Sequence, residues 1–141
     1  MSIRKNEGLL VRDVMLPLER FPVVDQRVIL KEALEAMGQY RLGIACVVDG
    51  ERKLLGILTD GDIRRKLLKV QKPFSAFFVD DAVDHAIRSP VTARPTDLLA
   101  HSVDVMGKKQ IWDLPVVDEG GKLVGLLHLH PAVQALLEIN G

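Results

Sequence analysis

The sequence predicts an α+β chain built from two copies of a strand-helix-strand-strand-helix unit. Sliding it by 69 residues lays Met37-Gly38 on Met106-Gly107, Val47-Val48-Asp49 on Val116-Val117-Asp118, Lys53-Leu54 on Lys122-Leu123 and Gly56 on Gly125, without a gap. A match of this kind is the signature of an internal duplication, and two copies fit a pair of small subdomains better than an array. Within each copy, short apolar runs of strand length alternate with segments whose apolar residues recur at helical spacing. Each half alone is marginal, whereas 141 residues with 48% apolar content suit one compact unit. The halves are therefore expected to pack on one another with pseudo-two-fold symmetry, strands facing and helices outside.

Taken in order, Met1 to Gly8 is polar and charged and is expected to fray. Leu9 to Met15 forms a short helix stopped before Pro17. Phe21 to Val24 is a short strand. Val28 to Gly38 places Leu30, Ala33, Leu34 and Met37 on one helical face and ends in a glycine stop. Gly43 to Val48 is a buried strand, with a turn at Asp49-Gly50 and a hairpin return along Leu54 to Leu58. From Thr59 the register Ile63, Leu67 is the apolar face of a helix. The connector, Lys69 to Asp81, holds three of the four phenylalanines and is expected to pack. The second copy runs through a helix near Val83 to Ile87, a strand at Val91, a helix from Asp97 to Gly107, and strands Leu114 to Val117 and Leu123 to His128. A last helix reaches Glu138. By repeat, residues 9–79 form the first domain and 80–141 the second.

The junction L-L-G-I-L-T-D-G-D-I, Leu54 to Ile63, carries the chemistry. Thr59 and Asp62 have the spacing of a capping box, in which the hydroxyl accepts from a first-turn amide and the carboxylate reaches back toward the helix start. A helix start also presents unpaired N–H groups and the positive end of a dipole, which suit a phosphate or a ribose. The residues alone leave both readings open.

Composition excludes several classes. A formal net charge of zero argues against a broad basic surface for nucleic acid. The single cysteine, Cys46, rules out an internal disulfide, and its place in I-A-C-V-V reads as a buried thiol. There is no signal peptide and no apolar stretch of membrane-spanning length, so a cytoplasmic protein without membrane contact is expected. Neither a glycine-rich dinucleotide loop, a P-loop, a nucleophile elbow nor a zinc-protease spacing is present, and no catalytic residue is assigned.

Three stretches carry a resemblance: V-R-D-V-M at Val11 to Met15, A-C-V-V-D with L-L-G-I-L-T-D-G-D between Ala45 and Asp62, and L-P-V-V-D with L-V-G-L-L between Leu114 and Leu127. From about Leu9 to Glu138 the chain resembles the paired cystathionine-beta-synthase (CBS) domains that form a Bateman module. Within that family, R-L-G-I-A-C-V-V-D and G-I-L-T-D-G-D-I-R-R are most similar to the C-terminal regulatory module of arabinose-5-phosphate isomerases of the Kdo pathway. The resemblance implies a ligand-sensing module that is not itself an enzyme. It binds a nucleotide or nucleotide sugar between the repeats, requires no cofactor and dimerises through its helices. AMP, ATP and CMP-Kdo are the candidate ligands.

Carried over residue by residue, the resemblance puts Thr59 on a phosphate or nearby hydroxyl and Asp62 on the ribose diol, within the turn that also contains Gly61. A hydroxyl donates to phosphate, and an ionised carboxylate accepts from two vicinal hydroxyls. Ile44, Ala45, Phe21 and Val23 would enclose the base. Arg64 and Arg65 either neutralise a phosphate or lie on a solvated helix face.

The second copy departs from this pattern, with Thr59 falling on His128 and Asp62 on Pro131. A first-turn helix position tolerates proline, but proline holds no ribose. His128 and His130 alternate at a strand end and can point one way, toward a phosphate, or simply flank a turn; a metal site is the weakest reading. Trp112, at the matching strand entrance, covers a base or merely packs. A structural dimerisation module with vestigial pockets is the alternative, and an enzyme using the two histidines is a third reading for which no acid or nucleophile can be named.

Overall fold

The computed structural model describes residues 8–69 and 73–138. Its elements are α1 (Val11–Val14), β1 (Val23–Asp25), α2 (Leu30–Tyr40), β2 (Ile44–Val48), β3 (Leu54–Thr59), α3 (Asp60–Lys69), α4 (Phe74–Phe78), α5 (Leu99–Lys109), β4 (Asp113–Val117), β5 (Leu123–His128) and α6 (Leu129–Glu138), with 3₁₀ turns at Leu18–Arg20 and Ala82–His85. The N-terminal stretch expected to fray lies, apart from Gly8, outside the described residues.

The chain divides into two compact units, Glu19–Pro90 and the remainder, in which the segment ending at Leu18 joins Val91 onward. In the first unit the sheet order is β1-β2-β3, with β1 parallel and β3 antiparallel to β2. Every residue of β2 is buried, as its small apolar run requires. The core beneath it combines Leu30, Ala33 and Met37 of α2 with Leu58, Ile63, Phe77 and Ala82. The connector packs through Phe77, which is fully buried with Phe78 edge-on against it, whereas Phe74 is exposed.

The second unit pairs β4 with β5 antiparallel and buries Val11, Leu99, Met106, Leu114, Val116 and Leu127. Val11 donates its amide to the Asp97 carbonyl at 2.9 Å, and Leu16 bridges Leu126, so α1 packs with the second repeat. The packing units are thus offset from the sequence repeats both by this leading segment and by residues 80–90, which pack with the first unit.

The duplication extends to fine detail. The Asp49 carboxylate accepts from the amides of Glu51 and Lys53, and that of Asp118 from the amides of Gly120 and Lys122, all at 2.8 to 2.9 Å. Both hairpins carry a register shift at the same place, between Val47 and Val48 and between Val116 and Val117.

Three expectations are corrected. Helices α2 and α5 do not stop at Gly38 and Gly107; they run on to Arg41 and Gln110, which take left-handed conformations with φ of 55°. The amides of Leu42 and Ile111 return to the Met37 and Met106 carbonyls, closing each end as a Schellman turn does, so the glycines sit inside the helices. No strand forms at Val91; Ala93 alone bridges Val116, in a stretch bounded by Pro90 and Pro95 that cannot donate to a ladder. Near Val83 the helix is a single 3₁₀ turn, because Ile87 immediately exchanges backbone hydrogen bonds with Ile57 at 3.0 and 2.8 Å.

Candidate functional site

The strand-to-helix junction at Thr59 is fixed by the backbone before any side chain acts. The Asp60 amide donates to the Gly43 carbonyl at 3.1 Å, and the Asp60 carboxylate lies where a β-carbon on residue 43 would come within 2.9 Å of it. A side chain at residue 43 would have to push this carboxylate, the far end of an exposed side chain, aside.

At the junction Thr59 Oγ1 accepts the Asp62 amide at 3.2 Å and donates to Asp62 Oδ2 at 2.7 Å. This is half of the expected capping box. The carboxylate, instead of returning to the backbone, receives the threonine hydroxyl and on Oδ1 the Arg65 guanidinium. Burial pushes the Asp62 carboxyl up, but the Thr59 hydroxyl, the Arg65 guanidinium and the Lys66 ammonium pull it further the other way, so it lies below the ordinary carboxylate value. Asp62 is an ionised acceptor at neutral pH.

Asp62 stands at the edge of an open groove of about 360 Å³ lined by Asp62, Arg65, Lys66, Lys69, His85, Ala86 and Ile87. Its floor depends on the Ile57–Ile87 bridge, which brings the segment after the 3₁₀ turn alongside β3. His85 is tethered on both nitrogens, to Asp80 Oδ2 from Nε2 at 2.9 Å and to Lys66 Nζ from Nδ1 at 3.3 Å. An ammonium is a donor only, so Nδ1 accepts and the proton sits on Nε2, donated to Asp80. The Phe77 ring, 4.5 Å away between centroids, backs the imidazole. Lys66 is thereby held over the groove, whose lining carries more positive than negative charge.

The other sequence candidates fall in different settings. Ile44 lies opposite Thr59 in the sheet and Ala45 opposite Leu58, and both are buried, as is Phe21; Val23 pairs with Cys46. None of these four lines the groove, whereas Gly61 lies directly beneath the Arg65 guanidinium. Arg64 is exposed. In the second unit His128 and His130 do not alternate on a strand, since β5 ends at His128 and α6 begins at Leu129. His128 turns to its cross-strand neighbour and donates from Nδ1 to Asp113 Oδ1 at 2.7 Å, while His130 is exposed in the first turn of α6 with Pro131 beside it. Trp112 is 71% exposed at the head of that helix, and its carbonyl accepts the Leu129 amide at 2.9 Å. Among the described residues no three histidine, cysteine or acidic side chains come together as metal ligands, and no helix is long and apolar enough to cross a membrane.

The residues missed by sequence reasoning are Lys66, Lys69, His85, Ala86 and Ile87. The spacing of Arg65, Lys66 and Lys69, one helical turn on one face, was legible in principle. The contribution of His85 was not, because it arrives from a separate segment.

The family model for the CBS domain matches residues 11–69 and 79–130. The chain belongs to the CBS-domain family. The CBS pair is similar in structure to CBSX2 in complex with AMP, with a TM-score of 0.81, 28% identity, and coverage of 95% of this chain and all of that one; a second structure, of CBSX2 from Arabidopsis thaliana, gives a TM-score of 0.80 at 27% identity, covering 94% of this chain and 97% of that one. Among curated proteins it is 37% identical over 135 residues to an inosine-5'-monophosphate dehydrogenase of Aquifex aeolicus, covering 94% of this chain and 24% of that protein. It is 29% identical over 130 residues to the arabinose 5-phosphate isomerase GutQ of Shigella flexneri, covering 89% and 37%. This CBS pair therefore spans between a quarter and rather more than a third of those relatives.

Proposed function

We propose that this chain is a regulatory module that binds a nucleotide at the Thr59–Asp62 turn and passes the binding on, by linkage, to a protein to which it is attached or docked. The observation that carries this reading is the Asp62 carboxylate, held ionised by Thr59 and Arg65 at the edge of a basic groove. A carboxylate accepts from the two hydroxyls of a ribose, and the adjoining cations suit a phosphate. That CBSX2, a relative covered along its full length, was solved with AMP favours an adenine nucleotide. CMP-Kdo, the other candidate raised by the sequence, finds no such support in a relative's ligand.

The likeness to GutQ supports a sugar-phosphate isomerase as the regulated partner, within the Kdo pathway that the sequence resemblance suggested. A ligand shifts such a partner only by the difference in its affinity for two arrangements of the module. The second reading, a module that serves to associate two copies, is favoured by Leu68 and Leu137. They lie 69 residues apart at equivalent places on α3 and α6, and both are exposed, at 82% and 66%. The two readings are compatible, since a homodimer can also sense.

Calorimetry with AMP, ATP and CMP-Kdo on wild type and Asp62→Ala tests the sensor reading. The expected result is binding of an adenine nucleotide, weakened in the variant by roughly 1.5–3 kcal/mol for a lost charge-assisted hydrogen bond. Binding that ignores Asp62, or no binding at all, would leave the associating module ahead.

A further inference from the structure

Arg65 and a ribose diol want the same atoms. A vicinal diol read by a carboxylate uses both oxygens, but the Arg65 guanidinium is on Asp62 Oδ1 while the Thr59 hydroxyl is on Oδ2. The guanidinium is also laid over the first turn of α3. A β-carbon on Gly61 would lie 3.4 Å from one of its terminal nitrogens and 3.7 Å from the other. The bare backbone at Gly61 thus gives Arg65 its seat, and the side chain, 60% exposed, is free to leave it toward solvent or a ligand.

We infer that Arg65 is the residue that makes this groove select nucleoside phosphates over nucleosides. The inference rests on the nucleotide reading of Asp62 given above. A nucleoside that engages Asp62 brings two further donors to a carboxylate that already holds the Thr59 hydroxyl and the Arg65 guanidinium, so it crowds the guanidinium and offers it nothing in return. A nucleotide brings a phosphate, to which the same guanidinium transfers with a charge-assisted, often bidentate, contact. Lys66, held by His85, and Lys69 line the same groove and add to its positive charge. The ion pair within the protein therefore acts as a penalty on the wrong ligand and is exchanged by the right one, which is specificity by exclusion as well as by attraction.

The test is calorimetry on the full chain with two matched pairs of probes, AMP against adenosine and CMP against cytidine, so that base preference does not mask the effect. For the base that binds, wild type is expected to prefer the monophosphate by about tenfold or more, the size of one charge-assisted contact. In Arg65→Gln the nucleoside should bind more tightly than to wild type and the monophosphate less tightly, so that the preference collapses. Arg65→Lys should restore part of it, since a point charge still attracts phosphate but lacks the planar fork. A preference unchanged in Arg65→Gln overturns the role of Arg65 while leaving the nucleotide reading intact. Absence of binding by all four probes to wild type overturns the role of Arg65, and absence of binding by ATP and CMP-Kdo as well overturns both.

Discussion

Gly56 faces the carbonyl oxygen of Ile87 so closely that a β-carbon at residue 56 would stand 2.6 Å from it. Its duplicate, Gly125, stands in the same relation to Leu16, whose carbonyl would be 2.9 Å from the added carbon, with the Met15 sulfur at 2.6 Å. In both units the strand leading to the junction is crossed by backbone bridged to it, Ile87 to Ile57 and Leu16 to Leu126. Gly56→Ala and Gly125→Ala should each destabilise their unit by about 1–3 kcal/mol, the usual range for overpacking against atoms that cannot yield. Gly38 and Gly107, which lie inside helices with nothing within 4 Å of an added carbon, should behave in the opposite way. Alanine there is expected to stabilise by about 0.5–1 kcal/mol through helix propensity. Urea denaturation of the four variants tests the contrast, and a common sign across all four would contradict it.

Thr59 supplies the side-chain cap of α3 as well as a contact to Asp62. Thr59→Ala removes the acceptor of the Asp62 amide and is expected to cost about 1 kcal/mol, within the range for lost N-caps. Thr59→Ser keeps the hydroxyl and should recover most of that loss. A serine variant as unstable as alanine would assign the effect to the methyl group instead.

The depressed carboxyl of Asp62 has a defined signature against pH. Burial raises it, while Thr59, Arg65 and Lys66 lower it by more, so the folded chain holds the ionised form more tightly than the unfolded chain does. The resulting stability is fully present above the unfolded value of about 3.9 and is lost as pH falls through the lower, folded value. The stability difference between wild type and Asp62→Asn should therefore be level from neutral pH down to about 5 and shrink below about 4. Denaturation midpoints collected across that window give the measurement. A gap that widens toward acid would mean the sign is wrong.

Cys46 is buried on β2 with the rest of its strand. Thiol reagents should label it at a rate set by unfolding, slow in buffer and fast in denaturant. Rapid stoichiometric labelling of the native chain would falsify its placement.

What is legible in the sequence is whatever the chain decides within a few residues. The hairpin turns repeat because Asp49 and Asp118 bond to amides two and four positions ahead, so equal local sequences yield equal local geometry. The Thr59–Asp62 pairing is of the same kind, three residues apart, and the identity of β2 as a buried strand followed from its unbroken apolar run. Even here local signals misled where a neighbour decided. Glycine at 38 looked like a helix stop, but the backbone could close the helix three residues later on Arg41 at the modest cost of one left-handed residue.

Tertiary structure alone decided the rest, because it depends on which distant surfaces meet. The leading helix α1 joins the second repeat through bonds from Val11 to Asp97 and from Leu16 to Leu126, pairings that no local pattern around Val11 encodes. The groove beside Asp62 has the same origin. Its helix supplies Arg65, Lys66 and Lys69, but His85 and Ile87 reach it only because Ile87 pairs with Ile57 across some 30 residues of chain. Residue types and short spacings were enough to mark the Thr59–Asp62 turn, and the family resemblance made Asp62 the ribose candidate, whereas the cations around it and the contact between Arg65 and that carboxylate came from side-chain packing in three dimensions.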